Sequence, residues 1–287
     1  MKLLIDADML LRKVMHANEV EECISQEVWT RHADLAVVRQ EYQHICNGLA
    51  IEWDCRPGDL IHCFTSGSGF RKRVTGTYKL NRIHSPKPIG WLPMKQEILT
   101  WDNAYLHDDI EADDLLGIFA TRLRRLGEDY VVMTHDKDLD QVPGRHVWKW
   151  AKPPEKEEDE DRRDFHRTEG EAQACFWRQV LVGDRTDNVR GVDGVGVKGA
   201  EKIVSQWDVT DPASCWKETL SLFEKNKINK VKVTKEEAHE MALTAARLIY
   251  ILREQDYNFK TGEVTLWKPP APKQRRKSLV SGSMMMS

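Results

Sequence analysis

The sequence predicts an α/β fold in which helices flank a mainly parallel central sheet. Three observations predict it: short apolar segments bounded by polar turns, an amphipathic helix between two of them, and acidic residues where these elements end or begin. Short apolar runs of this kind are typical of buried strands, and strands that alternate with helices form parallel sheets. In such folds ligands bind beyond the carboxyl ends of the strands. The acidic positions are therefore candidate functional residues.

The clearest elements are three strands and one helix. The predicted strands are 2–6 (KLLID), 60–64 (LIHCF) and 130–133 (YVVM). The turn sequence RPGD precedes the second strand. A helix is predicted over 111–126, because its apolar residues recur at i, i+3, i+4 and i+7 and Gly127 follows as a helix stop.

The remaining elements are predicted from weaker patterns. Helical patterning covers 19–50, 169–182 and 223–250, a glycine-rich turn at 191–202 enters a helix, and 264–267 is a short strand. The charge run 155–164 is expected to be a solvated loop, and the chain from 268 onward to be disordered. The predicted domains are an α/β core (1–165), a helical region (166–267) and a basic tail (268–287).

Composition bounds the class of protein. With 287 residues, 40% of them hydrophobic and 31% charged, the chain can form one large domain or two small ones. No apolar run approaches the ~20 residues of a membrane span, and Asp6 interrupts the apolar start, which argues against a signal peptide. We therefore expect a cytoplasmic protein with no membrane partner. The six cysteines show no metal-ligand spacing, so reduced structural thiols are expected.

Eight carboxylates fall into four groups at the ends or starts of predicted elements. They are Asp6; Glu111, Asp113 and Asp114; Asp136 and Asp138; and Asp184 and Asp187, the last two spaced to share a helical face. Each group alone has an ordinary explanation, such as a helix cap, a polar turn or a solvated face. Together they can converge, and two charges ~4 Å apart repel by roughly 4 kcal/mol at an effective dielectric of about 20. Such an acidic cluster needs divalent cations, and Mg²⁺ or Mn²⁺ prefer all-oxygen sites.

Residues 71–91, the basic segment, contain no acid. They hold Arg71, Lys72, Arg73, Lys79, Arg82 and Lys87, with the aromatic residues Tyr78 and Trp91. A solvated loop is the ordinary interpretation. Beside an acidic cluster, however, a basic segment suits a polyanion that is gripped at one place and cleaved at another. The net charge of −3 is an average over such uneven segments.

Residues 191–200 (GVDGVGVKGA), the glycine loop, are a candidate phosphate-binding segment. Gly194 and Gly196 permit a tight hairpin between two helices. The N–H groups at the start of the next helix can bind a phosphate oxygen, with Lys198 and Lys202 adding charge. The dinucleotide-binding fingerprint is excluded, because no buried strand precedes the loop.

These motifs resemble one family. LLIDAD, FRKxxxxxYKxNR, EADDLLG, THDKDLDQV and GDRTDNVRGVDGVGVKGAEKI resemble the 5′→3′ exonuclease and flap endonuclease superfamily. More narrowly, the chain is similar to the short exonucleases of podoviruses, whose C-terminus resembles RLIYILREQDYNFKTGEVTLWKP. The match runs in order from about residue 2 to residue 269.

The resemblance implies a PIN-like nuclease core, a helix–hairpin–helix over 184–205 that grips duplex DNA, and two divalent metals, Mg²⁺ or Mn²⁺. It assigns all eight carboxylates to the metal site. Asp136 would be the bridging ligand, Asp113 would lean toward one metal, and Asp138 and Asp187 toward the other. The hairpin in relatives also holds a monovalent cation, here expected to be K⁺, through carbonyl groups.

The resemblance also implies contacts with DNA. Lys79 and Arg82 match a basic pair that contacts the scissile phosphate, and with Asp136 they are the expected catalytic residues. The full set of expected DNA contacts is Arg71, Lys72, Arg73, Tyr78, Lys79, Arg82, Gly194, Gly196, Lys198 and Lys202. One position departs from the family. After the second strand the family usually has Asp, whereas this chain has Ser66, a poor Mg²⁺ ligand. Water or Glu111 compensates, or the first metal binds more weakly, or the protein is inactive.

The expected function is that of a metal-dependent 5′→3′ exodeoxyribonuclease. Its substrates would be duplex DNA with 5′ ends, 5′ flaps and RNA in RNA–DNA hybrids, and it would act as a monomer in the cytoplasm of a phage's host. Two alternatives remain open. One is a DNA-binding protein whose acids are structural. The other is a PIN-type ribonuclease for single-stranded RNA, which the glycine loop disfavours because it suits a duplex backbone.

Overall fold

The structure, a computed structural model, describes residues 1–66, 69–82, 86–147 and 164–271. The strands are β1 (Lys2–Asp6), β2 (Glu19–Ser25), β3 (Val28–Ala33), β4 (Leu60–Thr65), β5 (Ala104–His107), β6 (Tyr130–Met133), β7 (Gly144–Val147), β8 (Asp164–Arg167), β9 (Gly183–Asp184), β10 (Val189–Arg190), β11 (Lys227–Ile228) and β12 (Val231–Lys232). The helices are α1 (Ala7–Ala17), α2 (Leu35–Glu52), α3 (Phe70–Val74), α4 (Trp91–Ile98), α5 (Ala112–Leu126), α6 (Glu169–Val182), α7 (Val197–Val204), α8 (Pro212–Phe223) and α9 (Lys235–Ile249).

The central sheet has six strands in the order β5-β4-β1-β6-β7-β8. All neighbouring pairs are parallel except β7 with β8, which is antiparallel. Strand β1 lies in the middle, where Leu4 pairs with Ile61 on one side and Val132 on the other. The predicted mainly parallel α/β sheet is therefore confirmed.

Helices cover both faces of this sheet, as a parallel sheet requires. On one face Leu3 and Ile5 pack with residues of α1, α2 and α4. On the other face Leu4 and Val132 pack against α5. Alternate residues of β1 thus enter two different cores, which explains why the three consecutive residues 3–5 are all apolar.

A third core belongs to the helical region. Trp177, Phe223 and Ala242 are buried there among α6, α8 and α9. Tyr78 is part of this same core, so the basic segment packs against the helical region. The predicted boundary between the two domains stays a prediction.

Helix α5 forms as its sequence predicts. A capping box links Glu111 and Asp114 at its start. Gly127 ends it with a φ of 72°, a left-handed conformation that suits glycine. Because Thr65 Oγ1 accepts a hydrogen bond from the Ala112 N–H at 3.0 Å, the start of α5 is held against the end of β4.

Three predicted elements need correction. Only Leu35–Glu52 of the predicted helical stretch 19–50 is helical, because residues 19–33 pair as the β2–β3 hairpin. This hairpin is largely exposed, so its polar residues resembled a helix face. In the predicted strand 264–267, Val264 forms only an isolated bridge with Tyr257. The predicted helix 223–250 begins at Lys235, after the β11–β12 hairpin.

Other predictions stand or lie outside the described residues. The predicted helix 169–182 is confirmed, with a capping box between Thr168 and Glu171. All six cysteines are free thiols. Nearly all of the charge run 155–164 and most of the basic tail lie outside the described residues. Among the helices that the structure describes, none is long and apolar enough to cross a membrane.

Candidate active site

The predicted acidic residues meet at the carboxyl edge of the sheet. Asp6 ends β1, and Asp136 follows β6, the parallel neighbour of β1. The Asp6 carboxylate accepts hydrogen bonds from Met9 N at 3.0 Å and from Thr134 Oγ1 at 3.2 Å. It thereby caps α1 and contacts the chain that leads from β6 to Asp136.

Asp136 lies electrostatically at the centre of this cluster. Burial, together with the charges of Asp8 and Asp136, raises the pKa of Asp6 to about 7. Burial and the Asp136 charge likewise raise the pKa of Asp113 well above its usual range and that of Asp138 to about 7. Carboxylates shift in this direction when they lie close to one another without enough positive charge. The four acids thus form one site with uncompensated negative charge.

Asp184 and Asp187 join the cluster from the helical region. Their charges contribute to the raised pKa of Asp138. The Asp184 carboxylate accepts hydrogen bonds from Thr186 N at 2.7 Å and Asp187 N at 3.3 Å. Asp184 belongs to strand β9, and a turn carries Asp187, so the prediction that both share a helical face is wrong. The local sequence GDRTDN favours this turn, because Asp side chains bond to backbone N–H groups two or three residues on.

A small cavity of about 30 Å³ opens among these side chains. Five of the predicted acids line it: Glu111, Asp113, Asp138, Asp184 and Asp187. Arg71 and Tyr78 form part of its wall. The cavity therefore has carboxylates from α5, from the chain after β6 and from the β9–β10 region around one space.

Asp114 is not placed as the sequence predicts. It is fully buried, and its two oxygens accept hydrogen bonds from Arg71, which is 3% exposed. Asp114 also accepts from Glu111 N at 3.1 Å and Leu252 N at 3.2 Å. With these partners its carboxylate has no capacity left for a metal ion, so its assignment as a metal ligand is wrong.

Arg71 is likewise structural, because burial removes it from any DNA backbone. Its Nε donates to Leu248 O and its Nη2 to Tyr250 O, both at 2.8 Å. The prediction that Arg71 contacts DNA is therefore wrong. The residue instead joins α3, the start of α5 and the end of α9.

Lys79 points into the acidic cluster. Its Nζ donates to the two Glu111 oxygens at 2.8 and 2.9 Å and lies 3.5 Å from Asp187 Oδ2. Burial alone would lower the Lys79 pKa, but Glu111 and Asp187 raise it. Burial alone would raise the Glu111 pKa, but Arg71 and Lys79 hold it below its usual value. Both groups are therefore charged at neutral pH.

Tyr78 and Arg82 hold Asp187. The Tyr78 hydroxyl oxygen lies 3.1 Å from both Asp187 Oδ2 and Glu111 Oε2, so its single proton is shared between the two carboxylates. Arg82 Nη2 lies 2.6 Å from Asp187 Oδ1, and the Arg82 side chain is 45% exposed. Since Tyr78 is only 4% exposed, it cannot contact DNA directly as predicted.

Several cations of the basic segment form ion pairs that its sequence does not indicate. Arg73 pairs with Asp109, in addition to the pairs made by Arg71, Lys79 and Arg82. The segment has no acid in its own sequence, but acids from distant positions pair with Arg71, Arg73, Lys79 and Arg82. Lys72 and Arg73 are exposed, so they remain candidates for DNA contact.

The glycine loop follows strand β10 rather than a helix. The predicted helix–hairpin–helix over 184–205 therefore has a helix, α7, on one side only. Gly194 has a φ of 77°, which explains the glycine, and Gly196 is the N-cap of α7. Lys198 and Lys202 are exposed on α7. The loop thus presents free N–H groups and two lysines at one helix start.

At the position of the expected family aspartate, Ser66 donates to Asp108 O at 2.7 Å. Asp8, which the sequence interpretation left without a role, reaches the same strand end. Its carboxylate accepts from Thr65 N at 2.6 Å, and its charge raises the pKa of Asp6. The only sequence signal for Asp8 was its place two residues after Asp6.

The donor set fits hard divalent cations, since five carboxylates line the cavity and carboxylate oxygens are the ligands that such cations prefer. Burial and, after it, the charges of neighbouring carboxylates raise the pKa of Asp6, Asp113 and Asp138, and bound cations would offset that negative charge. Within the described ranges, no three side chains of the types His, Cys, Asp and Glu are close enough to form a complete metal site as they stand. Hydrogen bonds from Lys79 and Tyr78 instead orient Glu111 and Asp187.

Comparison with known proteins supports one family. The model of the 5′-3′ exonuclease, N-terminal resolvase-like domain, matches residues 1–170. The exonuclease of Escherichia phage T7 is 25% identical, with 93% of each chain covered. The exodeoxyribonuclease of Enterobacteria phage T3 is 24% identical, with 93% of this chain and 92% of the T3 protein covered. These two agree with the predicted similarity to podoviral exonucleases.

A solved structure shows the same fold. It is that of the bacteriophage T5 D15 flap endonuclease in a complex with DNA and metal ions. The TM-score is 0.56 at 16% identity, with 86% of this chain and 88% of the T5 chain covered. This likeness confirms the predicted PIN-like fold. Because the family model covers more than half of the chain, the chain belongs to the 5′→3′ exonuclease family.

Proposed function

We propose that the protein is a divalent-metal-dependent 5′→3′ exodeoxyribonuclease that acts on duplex DNA 5′ ends. The observation that carries this proposal is the position of Asp136. Asp136 follows β6 beside Asp6 of β1, and besides burial its charge raises the pKa of Asp6, of Asp113 at the start of α5 and of Asp138. One carboxylate shared between two groups of acids is the arrangement that a two-metal nuclease needs.

The acids divide into two sets around Asp136. Asp6, Glu111 and Asp113 would hold one cation, and Asp138, Asp184 and Asp187 the other. Bound Mg²⁺ or Mn²⁺ supplies a more acidic water and positive charge near the phosphate. A K⁺ ion at the glycine loop stays a prediction from the family resemblance.

The chain's own cations complete the site. Lys79 and Arg82 stand beside Glu111 and Asp187, so a phosphate that enters the cavity meets two positive charges. They would hold the scissile phosphate and offset charge that develops on its oxygens. Lys79 is paired with Glu111, and Arg82 with Asp187. When these carboxylates bind a metal ion, each basic side chain can pair with a phosphate oxygen instead. No charged side chain is then left without a partner of opposite charge.

Duplex DNA is the substrate class that the basic surfaces favour. The glycine loop and the exposed Lys198 and Lys202 can bind a backbone without contacting bases. The T3 relative is named an exodeoxyribonuclease, and the T5 structure contains DNA with a protein named a flap endonuclease. We include 5′ flaps for this reason. Activity on RNA in RNA–DNA hybrids, a monomeric state and action in the cytoplasm of a phage's host rest on the family resemblance alone.

The central test is Asp136→Ala. Cleavage of a 5′-labelled duplex in Mg²⁺ should be abolished, while duplex binding measured in Ca²⁺ should be retained. Asp129→Ala, which removes an exposed acid that precedes β6, is the matched control and should cleave normally. Mg²⁺-dependent cleavage by the Asp136→Ala protein would overturn the proposal.

Two alternatives are tested by the substrate panel. Duplex, 5′-flap, RNA–DNA hybrid and single-stranded RNA substrates are digested with and without Mg²⁺. A DNA-binding protein without catalysis would bind the duplexes and cleave nothing. A ribonuclease would cleave the single-stranded RNA in preference to the duplexes.

A further inference from the structure

Residues 225–235 (KNKINKVKVTK), the lysine hairpin, form a second basic surface outside the acidic cluster. They contain no acid and five lysines: Lys225, Lys227, Lys230, Lys232 and Lys235. Strands β11 and β12 pair antiparallel here. Asn229 and Lys230 have φ values of 51° and 68°, as the tight turn of a two-residue hairpin requires.

The five lysines are exposed. With carboxylates of the described residues they form no ion pair within 4.0 Å, in contrast to Arg71, Lys79 and Arg82 of the basic segment. Two of them also face each other, because Lys227 is directly paired with Lys232 across the ladder. Like charges directly opposite destabilise a ladder. The Asp193 carboxylate lies close enough to Lys227 to offset part of its charge, and a bound anion would reduce the remaining repulsion between the two lysines.

A buried side chain fixes the lysine hairpin to the glycine loop. Asn226, which is fully buried, donates to Gly191 O at 3.0 Å and accepts from Asp193 N at 2.7 Å. Lys227 N donates to Asp193 Oδ2 at 2.9 Å, and Arg190 Nη2 donates to Lys227 O at 2.7 Å. The lysines are thus held in a set position relative to the loop.

The glycine loop is in turn fixed to the acidic cluster. Strand β10 leads into it, and Val189 and Arg190 of β10 pair with Asp184 and Gly183 of β9. Asp184 is thus connected to Lys227 by two steps: the backbone pairing of β9 with β10, and the hydrogen bond from Arg190 to Lys227 O. A polyanion that is cleaved at the cluster and contacts the glycine loop can continue onto the lysine hairpin.

We propose that the lysine hairpin is a binding site for the phosphate backbone of the same duplex, beyond the glycine loop. This inference rests on the proposed function, because it needs duplex DNA as the substrate. The ligand is a phosphodiester backbone rather than bases, since the residues offered are ammonium groups on a narrow ribbon. The site adds affinity and holds the duplex, and it takes no part in the chemistry at Asp136.

The test compares the wild type with a triple variant, Lys227→Gln, Lys230→Gln and Lys232→Gln. Binding to a 30-bp duplex is measured in Ca²⁺ over a range of salt concentrations. Each lost phosphate contact reduces the slope of log affinity against log salt by about 0.9. The slope should therefore fall by roughly 2 to 3, and affinity at about 100 mM salt by ~10-fold or more. The rate at saturating duplex should not change.

Three controls make the outcome specific. Lys260→Gln, an exposed lysine beyond the helical region's core, should bind like the wild type. The triple Lys→Arg variant should restore the salt slope, and thermal unfolding should show that all variants are folded. Successive shortening of the duplex should remove the difference between the wild type and the triple Gln variant.

Two results are distinguishable. If the wild type neither binds nor cleaves duplex DNA, the proposed function fails. If the wild type does both, and the triple Gln variant has the same affinity and salt slope, the inference about the lysine hairpin is overturned. That second result would assign the hairpin's charge to another anionic partner, such as an acidic protein.

Discussion

Arg71 donates hydrogen bonds from two nitrogens to the two carboxylate oxygens of Asp114, and both side chains are buried beneath the acidic cluster. The pair fixes the first turn of α5, which carries Glu111 and Asp113. The sequence EADD thus contains two acids that face the cavity and one that supports them from below.

Replacing Asp114 tests this division of roles. Asp114→Asn leaves the Arg71 guanidinium buried without its counter-charge, and breaking a buried ion pair costs about 3–5 kcal/mol. We expect a correspondingly lower free energy of unfolding, measured with denaturant, whereas Asp136→Ala should not show this loss. An Asp114→Asn protein that is fully stable but needs more Mg²⁺ would restore Asp114 as a metal ligand.

Asp6→Asn should separate stability from activity. The folded-state pKa of Asp6 is about 7, above its ordinary value of 3.8, so the folded protein binds this proton more tightly than the unfolded chain. The stability from this group is fully present below about pH 4 and is lost as pH rises through 7. Asparagine mimics the protonated acid. Without metal, the variant should therefore be more stable than the wild type at pH 8, and it should be inactive.

The measurement is the difference in free energy of unfolding between Asp6→Asn and the wild type in EDTA, from pH 4 to pH 9. Because the other titrating groups contribute equally to both proteins, this difference in free energy reports Asp6 alone. It should grow from pH 4 to about pH 7, the folded-state pKa of Asp6, and then level off. Asp129→Asn should give no such trend. A difference that is constant at all pH values would show that the pKa of Asp6 is the same in the folded and unfolded protein.

Ser66→Asp tests the missing family carboxylate. Ser66 stands at the end of β4, beside the strand residue whose N–H donates to Asp8. An added carboxylate should lower the Mg²⁺ concentration needed for half-maximal cleavage. Ser66→Asn introduces a side chain of the same shape as aspartate but without its charge. It therefore controls for the loss of the hydrogen bond from Ser66 to Asp108 O. An equal Mg²⁺ requirement in all three proteins would mean that the first metal already has its ligands.

Lys79→Gln should reduce the rate and spare the binding. Lys79 contacts Glu111 and lies near Asp187, at the place where a scissile phosphate is proposed. Removing one donor from a reacting oxygen typically costs about 10²–10³ in rate, and we expect a loss of that order under saturating duplex. Lys260→Gln, an exposed lysine outside the proposed DNA-binding surfaces, is the control. A loss confined to duplex affinity would make Lys79 a binding residue only.

The sequence predicts β1, β4 and β6 of the six-stranded central sheet for a simple physical reason, but it does not predict β5, β7 or β8. A strand segment buried on both faces is apolar, so residues 3–5 and 130–133 stand out against polar turns. The order of strands and helices then places Asp6 and Asp136 at one edge. Most of the acidic cluster could therefore be predicted without coordinates.

Partners far apart in the sequence could not be predicted. Nothing near Arg71 shows that it pairs with Asp114, 43 positions away, or that its other partners lie near residue 250. A buried arginine and a DNA-binding arginine have the same local sequence. The same limit applies to Arg73 and Asp109, because the fold rather than the chain brings them together.

Local patterns also misled where one sequence suits two structures. Residues 19–33 are polar enough for an exposed helix, yet they form the β2–β3 hairpin. Asp184 and Asp187 have helical spacing, yet a turn between β9 and β10 holds them. In both places a short, exposed segment buries little apolar surface, so periodicity carries little information.

The buried pair of Arg71 and Asp114 also bears on whether the N-terminal part of the chain can exist as an autonomous module. The family model ends at residue 170, but Leu248 O, Tyr250 O and Leu252 N complete the hydrogen bonds of this pair. A fragment cut at residue 170 would expose an incompletely satisfied ion pair and would lack Asp184 and Asp187. The chain from Leu248 to Leu252 is thus part of the scaffold that holds the acidic cluster, and we expect the two halves of the chain to unfold together.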